Sequence, residues 1–373
     1  MSGHTRVAWP DSHESNPTEM SSPIRYAVIG TGMMGVEHIR NIKLLPDALL
    51  VAAADPSERS RGWASAAADG LALYADYREM LAREEIDAVV LATPNHTHAA
   101  VLEDLLATDK HILCEKPLCT TIEDCRRVLN SVRGRRPVFW VGMEYRYSPP
   151  VGRFVAEVHG GSAGNVKMMS IRELRFPFLP KVGDWNRFNR NTGGTLVEKS
   201  CHHFDLMRHV LQAEPVRVSA SGGMDVNHMN ETYGGQVPDI LDNAFVLIDF
   251  DSGARALHDL CMFAEVSRHA QELTVTGDRG KVECLLPEGS VSIGRRGSPP
   301  VESVLIDIPD SIQRAGSHHG ATYYELLDFQ NAVLEGRPAR VTALDGLKAV
   351  AMGLAAQRSI DERRPVLMSE FGL

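Results

Sequence analysis

The sequence predicts an α/β protein of two domains, the first built on a parallel sheet and the second on a largely antiparallel one. Apolar runs typical of buried strands alternate with helical periods from residue 24 to residue 147, which indicates repeated βα units. From residue 148 onward, strand-like segments follow one another through short turns such as Asp251-Ser252-Gly253, which favours antiparallel pairing. The length of 373 residues also exceeds what one hydrophobic core usually organises.

The composition argues against several classes of protein. The net charge is −9 and the chain has no long basic run, so no nucleic-acid partner is expected. No apolar run approaches the roughly 18 residues needed to cross a bilayer, so no membrane association is expected. The six cysteines form no C-x-x-C pair, which favours reduced thiols in a cytoplasmic protein.

The N-terminal segment, residues 1–23, is rich in Ser, Pro, His and acidic residues and shows no periodicity. It lacks the apolar centre of a signal peptide. We expect a disordered tail, or residues upstream of a second translation start at Met20. The predicted domains are then residues 24–147 and residues 148–373.

Residues 24–55 begin the first domain and are typical of a dinucleotide site. An apolar run meets three glycines spaced G-x-G-x-x-G, at Gly30, Gly32 and Gly35, and a helical period follows. Gly30 permits a tight turn, Gly32 lets the backbone approach a pyrophosphate at the helix N-terminus, and Gly35 lets helix and strand pack closely. The expected contacts in this turn are Gly30, Thr31, Gly32, Met33, Met34 and Gly35.

Asp55 ends the second apolar run and lies 20 residues past Gly35. A carboxylate at this distance accepts hydrogen bonds from the adenosine ribose. It also repels a 2′-phosphate, so NAD is favoured over NADP. Arg59 and Arg61 follow closely in the sequence and weaken that preference. A glycine-rich turn in some other α/β domain remains the alternative, but it does not explain Asp55 as readily.

The rest of the first domain continues the alternation. Helical periods are predicted over residues 57–68, 76–85, 97–108 and 122–133. Strands are predicted over residues 86–93, 111–114 and 138–142. Right-handed crossovers between parallel strands place the strand ends along one edge of the sheet, where ligands bind.

Two segments follow strands at that edge, Ala92-Thr93-Pro94-Asn95-His96-Thr97-His98 and Cys114-Glu115-Lys116-Pro117-Leu118. With the glycine turn before them, they resemble the pattern of the glucose–fructose oxidoreductase and inositol dehydrogenase family, Gfo/Idh/MocA. The resemblance implies a Rossmann domain followed by an α+β domain built on an open, largely antiparallel sheet. It also implies that Thr93, Asn95, His98 and Glu115 lie near the cofactor, with Lys116 beside both the nicotinamide and the substrate hydroxyl.

The second domain is predicted to contain a helix over residues 151–158 and a series of strands. The strands are predicted over residues 166–176, 216–222, 243–250, 254–263, 272–276 and 281–285. One face of such a sheet needs covering, by the first domain or by another subunit. The resemblance implies that sheets pair face to face between subunits, so a homodimer or homotetramer is expected.

Residues 184–206 interrupt the strand pattern, and a double glycine leads into a predicted helix that runs to about Val210. Glu198 and His202 are four residues apart and would share one face of that helix. A carboxylate there holds the imidazole in one tautomer and favours its charged form. A satisfied core histidine is the alternative interpretation of His202.

Family members usually read G-G-G-x-x-x-D-x-G-x-H-x-x-D in this segment. The final His and Asp of the pattern fall on His202 and Asp205, while Thr192, Glu198 and Ser200 depart from it. His203 competes for the catalytic role, but it lies about 100° around the helix from His202 and would face elsewhere. Consecutive helical residues do not converge on one ion, so no metal is expected at Cys201-His202-His203.

Three further residues are candidates for substrate contacts. Trp185 and Arg187 belong to a polar-aromatic cluster that suits the face and hydroxyls of a sugar ring, although Trp185 is equally explained as a core residue. His319 lies in a Gly-flanked loop before a helical period, where a plain loop histidine is as good an explanation. Helical periods over residues 323–334 and 344–363 resemble the closing elements of the family.

The sequence is therefore interpreted as an NAD-dependent dehydrogenase of a sugar, inositol or related polyol, with the substrate between the nicotinamide and the second domain. His202, oriented by Glu198, accepts the hydroxyl proton, and Lys116 stabilises the negative charge that develops on the oxygen. Which of Lys116 and His202 moves the proton is left open. Two alternatives come from the same family: an enzyme that retains NAD and cleaves glycosides, and a dinucleotide-binding regulator without turnover.

Overall fold

The computed structural model describes residues 5–9 and 22–373. Within these residues the chain forms two compact units. The first unit comprises Trp9–Ser148 and Ile308–Leu347, and the second comprises Pro149–Asp307, Lys348–Leu373 and the N-terminal segment that ends at Ala8. Most of the predicted tail, residues 1–4 and 10–21, lies outside the described residues.

The strands and helices are as follows in chain order. The strands are β1 Thr5–Ala8, β2 Ile24–Ile29, β3 Ala48–Ala54, β4 Ala72–Tyr74, β5 Ala88–Leu91, β6 His111–Glu115, β7 Phe139–Gly142, β8 Val166–Leu174, β9 Pro215–Gly223, β10 Asn243–Phe250, β11 Arg255–Cys261, β12 Gln271–Gly277, β13 Gly280–Leu286, β14 Ser290–Arg295, β15 Ser298–Asp307 and β16 Val366–Leu367. The α-helices are α1 Met33–Ile42, α2 Glu58–Ala67, α3 Tyr77–Arg83, α4 His98–Leu106, α5 Ile122–Ser131, α6 Pro149–His159, α7 Asn189–Thr192, α8 Thr195–Glu198, α9 Cys201–Leu211, α10 Asp310–Gln313, α11 Ala321–Glu335 and α12 Ala343–Glu362.

The sheet of the first unit is parallel throughout, with the strand order β4-β3-β2-β5-β6-β7. This is the doubly wound order in which dinucleotides bind where the strand order reverses, here between β2 and β5. The central strands are apolar and buried, since Ala88 to Leu91 have no exposed surface. The predicted parallel sheet of the first domain is therefore confirmed.

The sheet of the second unit has the strand order β1-β15-β14-β13-β12-β8-β11-β10-β9-β16. Among the described strands of this sheet, only the pairs β8–β11 and β1–β15 are parallel. The sheet is therefore largely antiparallel, as predicted. Residues of alternating parity face opposite sides of each strand. Ile171, Val246 and Leu273 are buried on one side, and α6 and α9 pack on this sheet.

The N-terminal segment differs from the predicted tail at one place, because Thr5–Ala8 forms the edge strand β1. This strand pairs in parallel with β15, with Thr5 opposite Val304 and Ala8 opposite Asp307. Arg6 also forms an ion pair with Asp307 at 3.1 Å. The alternation Thr5-Arg6-Val7-Ala8 is too short to be recognised as a strand without its partner.

The first unit is also larger than the predicted domain, because residues 308–347 join it. Helix α11 packs on α1, and its Phe329 ring lies 6.4 Å from that of Tyr26 and 6.1 Å from that of Trp140. The Gln330 side chain meets the Tyr26 hydroxyl at 3.3 Å. These contacts, which join positions 189 to 304 residues apart, group α11 with the first unit. None of the described helices is long and apolar enough to cross a bilayer.

Candidate active site

The glycine turn after β2 is tight, as its sequence predicts. Gly30 has φ +89°, and a Cβ on it would lie 2.6 Å from the carbonyl carbon of Ala92. A Cβ on Gly35 would overlap the carbonyl oxygen of Gly30. Both glycines are therefore required by the fold itself, because a side chain at either position collides with backbone.

Gly32 is different, since the protein gives no reason for a glycine there. Its φ is −69°, which any residue adopts, and a Cβ on it would meet no atom of the described residues within 4 Å. Helix α1 begins directly after it, with no side chain capping its N-terminus and no acid in its first turn. An open, positively polarised helix end next to free space fits a pyrophosphate.

Two buried polar atoms beside this turn lack a protein partner. Among the described residues, the Oγ1 of Thr31 and the Nδ2 of Asn95 make no hydrogen bond, although these residues are only 0% and 6% exposed. Buried polar atoms are normally satisfied. Both atoms fit the polar contacts that a dinucleotide would provide at this edge of the sheet.

Asp55 lies at the end of β3, next to the glycine turn. Its Oδ2 accepts a hydrogen bond from Thr31 N, and its Oδ1 accepts one from Ser57 N, both at 2.8 Å. The guanidinium of Arg61 donates to the carbonyl oxygen of Asp55 at 2.7 Å, and Arg59 lies over the ring of Trp63. Both arginines that would accommodate a 2′-phosphate therefore have other local contacts.

The segments after β5 and β6 are joined by His98, which is fully buried. Its Nδ1 lies 2.9 Å from Pro117 O and its Nε2 lies 3.0 Å from Thr93 O. Burial lowers the pKa of His98, against the raising effect of these carbonyl groups. A neutral imidazole has one N–H, so His98 donates a hydrogen bond to one of the two segments and contacts the other at the sheet edge.

Lys116 follows β6 directly and is half-buried. Its backbone N donates to Oε2 of Glu115 at 3.1 Å, and Oε1 of Glu115 lies 2.6 Å from Nε2 of His38. Burial tends to raise the pKa of the Glu115 carboxyl, but His38 and Lys116 lower it overall. A charged carboxylate and an imidazole of α1 therefore fix the chain at Lys116.

A second group of buried polar residues in the first unit escaped prediction from the sequence. Glu37 of α1 accepts hydrogen bonds from His318 Nδ1 at 2.8 Å and from Thr322 Oγ1 at 3.0 Å. Thr322 Oγ1 also lies 2.8 Å from Glu144 Oε2. A hydroxyl has one proton, so both contacts are hydrogen bonds only when one of the two carboxyls is protonated. Burial does raise the pKa of Glu144, whereas His318 and Ser317 outweigh burial and lower the pKa of Glu37 to about 2.

We expect the Glu144→Gln variant to be more stable than the wild type, by a margin that grows as the pH rises. A carboxyl whose pKa is raised by folding stabilises the native state below its unfolded pKa, and that contribution is lost as the pH rises through the folded pKa. The amide still donates to Thr322 and never ionises. Thermal unfolding followed by circular dichroism should show a gain in Tm of a few degrees at pH 8, as for roughly 1 kcal/mol, and little gain at pH 5.

Glu37→Gln is the matched control, because its pKa is shifted the opposite way. It should lower Tm at pH 7 and lose that effect as the pH falls toward 2, since a depressed pKa stabilises only above the unfolded value. A Glu144→Gln effect that stays constant from pH 5 to pH 8 would contradict the protonated state of Glu144.

In the second unit, the predicted helix through residues 195–210 is wrong in one respect, because it is interrupted. Helix α8 ends at Glu198 and α9 begins at Cys201. Glu198 therefore belongs to α8 and His202 to α9, so the two residues do not share the face of a single helix. Both side chains are buried, at 7% and 2% exposure.

His203, the competitor of His202, is fully buried and faces the sheet. Its Nδ1 lies 3.6 Å from Glu173 Oε2, and its ring centroid lies 4.7 Å from that of His258. Burial lowers its pKa well below the usual value. Glu173 was not predicted as a buried residue. The signal was present, because Met169, Ile171 and Glu173 alternate along β8 and therefore share its buried face.

The candidate substrate residues are found in both units. Trp185 and Arg187 lie in a 3-10 helix, Val182–Arg187, of the second unit. Arg187 is only 3% exposed, and its Nε lies 3.3 Å from the Tyr233 hydroxyl. His319 is exposed and belongs to the first unit, directly before α11, rather than to the second as its predicted domain implied.

The described residues contain no group of His, Cys, Asp and Glu side chains that could hold a metal ion. Metal ligands must converge on one point within about 2.0–2.6 Å.

Comparison with known proteins identifies both units. Residues 24–143 match the family model described as the oxidoreductase family NAD-binding Rossmann fold, and residues 156–368 match that of its C-terminal alpha/beta domain. The myo-inositol 2-dehydrogenase of Thermotoga maritima is 27% identical over 352 residues, which cover 93% of this chain and 99% of the relative. The inositol 2-dehydrogenase of Rhizobium meliloti is 28% identical over 353 residues, covering 92% and 98%.

The fold agrees with that of a solved structure. The scyllo-inositol dehydrogenase of Lactobacillus casei, determined with NAD(H) and scyllo-inositol, superposes with a TM-score of 0.74. It is 21% identical, and the match covers 93% of this chain and 99% of that one. With family models matching both units, the chain belongs to the Gfo/Idh/MocA family of oxidoreductases and acts on CH–OH groups.

Proposed function

We propose that this protein is an NAD-dependent dehydrogenase that oxidises a secondary alcohol of a sugar, inositol or related polyol, or reduces the corresponding ketone. The observation that carries the proposal is the position of Lys116. It follows β6 at the same sheet edge as the open glycine turn after β2. The inositol dehydrogenases among the relatives support the substrate class, and the cytoplasm is the proposed compartment.

The proposed roles follow from ordinary acid–base chemistry. When bound, the nicotinamide supplies the acceptor for the hydride. Lys116 donates a hydrogen bond to the reacting oxygen and stabilises its developing negative charge. His202 accepts the hydroxyl proton, and Glu198 fixes the tautomer of the imidazole. Trp185, Arg187 and His319 are the proposed contacts to the rest of the substrate.

A panel of inositols and aldoses with NAD, followed at the NADH absorbance, tests this function. Net NADH production from a free polyol, with release of the ketone, supports the dehydrogenase. Turnover of a glycoside without added NAD would instead support an enzyme that retains its cofactor. Binding of NAD with no turnover of any panel member would support a regulator.

Asp55 is proposed to set the preference for NAD. Asp55→Ser should narrow the ratio of kcat/KM for NAD over NADP by roughly tenfold, equivalent to about 1.4 kcal/mol, because the carboxylate no longer repels a 2′-phosphate. Steady-state kinetics with both cofactors measure this ratio. Arg83→Ser, at an exposed position of α3, is the control and should leave the ratio within about twofold. An unchanged ratio in Asp55→Ser would show that another residue sets the preference.

The uncovered face of the large sheet is proposed to pair with a second copy, giving a homodimer or homotetramer. Met168, Phe245, Leu247 and Leu257 are 61%, 58%, 46% and 38% exposed on this face, and Leu247 lies opposite Leu257. Around them, Arg172 pairs with Asp259 and Arg217 with Asp249. An apolar centre with a charged rim is typical of protein–protein interfaces.

We expect Phe245→Asp combined with Leu247→Asp to dissociate the assembly into monomers. Two carboxylates buried without partners in an interface cost several kcal/mol. Light scattering at micromolar concentration should give one chain's mass for the double variant and a multiple of it for the wild type. Val301→Asp, at an equally exposed position of β15, should keep the wild-type mass. A monomeric wild type would overturn the proposal.

A further inference from the structure

The break between α8 and α9 is fixed by side-chain contacts that the sequence pattern does not predict. Ser200 lies in this break, where family members usually have glycine, and it is fully buried. Its φ of −85° needs no glycine. Its Oγ lies 2.9 Å from Nε2 of His258 on β11. The Ser200 side chain, which is absent from glycine, therefore links the break to the sheet through its hydroxyl.

The direction of this hydrogen bond follows from the other nitrogen of His258. Nδ1 of His258 lies 3.2 Å from the carbonyl oxygen of Ile171, and a carbonyl only accepts, so Nδ1 carries the proton. Burial lowers the pKa of His258 and keeps the ring neutral. Nε2 is then an acceptor, and the Ser200 hydroxyl donates to it.

Lys199, the other residue of the break, is anchored to the neighbouring strand. Its Nζ lies 2.9 Å from Oε1 of Glu173 on β8, and Arg175 lies 3.3 Å from the same oxygen. Glu173 is 2% exposed. Burial raises the pKa of its carboxyl, but Lys199 and Arg175 lower it to about 2. The ammonium is therefore held by a charged carboxylate in a water-poor site, where ion pairs are strong.

These two links fix Lys199 and Ser200, which precede His202 by three and two positions. Helix α9 begins at Cys201, so His202 lies in its first turn, two residues from Ser200 and three from Lys199. The direction of that turn sets where the imidazole points. A general base must lie within hydrogen-bond reach of the proton it takes, and a displacement of about 1 Å costs on the order of 10²-fold in rate.

We infer that the Ser200–His258 and Lys199–Glu173 links position His202 for proton transfer, so that all four are positioning residues of the reaction. This inference rests on the proposed function, in which His202 is the base. The links touch no reacting atom and act only through the turn that carries the imidazole. This role explains why the chain has Ser200 where the family pattern has glycine. The serine hydroxyl fixes a turn that a glycine would leave flexible.

A double-mutant cycle between Ser200 and His202 tests the inference. Ser200→Gly should lower kcat by roughly tenfold with KM for NAD unchanged, because the turn is loosened while the cofactor's own contacts remain. In the His202→Ala background, Ser200→Gly should change kcat by less than about twofold, since no base remains to be positioned. Ser290→Gly, at a buried serine of β14, is the control and should leave kcat near the wild-type value.

The outcomes separate the inference from the proposed function. If His202→Ala is slow but Ser200→Gly is as fast as the wild type, or costs the same factor in both backgrounds, the positioning inference is overturned and the function stands. If His202→Ala keeps the wild-type kcat, the proposed base fails, and the inference fails with it. Lys199→Arg, which keeps the ion pair, should retain more activity than Lys199→Met, and the reverse order would also count against the inference.

Discussion

His202→Ala is expected to lower kcat by about 10²–10⁴-fold, the usual contribution of general acid–base catalysis. The variant should bind NAD with nearly unchanged affinity, because the residues proposed to hold the dinucleotide all belong to the first unit. Steady-state kinetics give kcat, and fluorescence titration gives the affinity for NAD. His209→Ala is a matched control two turns further along α9 and should retain most of the activity.

The pH dependence should separate loss of a base from loss of structure. In the wild type, kcat/KM for oxidation should rise with pH as the base loses its proton, and His202→Ala should lose or move that limb. Glu198→Gln should cost less than His202→Ala, because the amide still offers the imidazole a partner but no charge. If His202→Ala retained kcat while His203→Ala lost it, the assignment within this helix would be shifted by one residue.

Lys116→Ala should also lower kcat far more than it weakens NAD binding. An ammonium that hydrogen-bonds the reacting oxygen stabilises charge that exists only in the transition state. Removal of one such donor costs roughly 10²–10³-fold. A fully active Lys116→Ala variant would remove the main chemical support for a dehydrogenase. A large rise in the Kd for NAD with unchanged kcat would instead make Lys116 a cofactor-binding residue only.

The sequence predicts those parts of the fold whose causes are local. The turn at Gly30, the helix after it and Asp55 at the end of β3 lie within 26 consecutive residues, and each is explained by its neighbours in the chain. Strands β14 Ser290–Arg295 and β15 Ser298–Asp307 also went unpredicted, although they are longer. The unpredicted strands β4 Ala72–Tyr74 and β16 Val366–Leu367 are short. They exist because a longer strand pairs with them, and periodicity in so few residues cannot indicate that.

The buried polar residues outside the predicted motifs were harder to predict, because their partners are distant in sequence. Glu37 meets His318 across 281 positions, and Ser200 meets His258 across 58. A lone Glu or Ser in a helical segment is usually interpreted as a surface residue. Only the folded chain shows that Glu37 has 6% exposure and Ser200 none. The proposed catalytic residues, Lys116 and His202, were selected from the sequence because they belong to contiguous motifs.

Gly32→Ala should leave the folded protein intact and weaken NAD binding by about a hundredfold, or roughly 2.7 kcal/mol. In the part of the chain that the structure describes, a Cβ at Gly32 meets no atom within 4 Å, and its φ of −69° suits alanine. The added methyl group would therefore occupy only the space in which the pyrophosphate is proposed to approach the backbone. Thermal unfolding without cofactor should show an unchanged Tm, and fluorescence titration should show the loss of affinity.

Gly35→Ala provides the contrast, because its Cβ would collide with the carbonyl oxygen of Gly30. Since backbone cannot yield as a flexible side chain does, helix α1 must shift away from β2, at a cost of about 1–3 kcal/mol or more. This variant should lose stability even without NAD, whereas Gly32→Ala should not. If Gly32→Ala bound NAD normally, the open space before α1 would not be the pyrophosphate site. If both variants lost stability equally, Gly32 too would be a requirement of the fold rather than of the ligand.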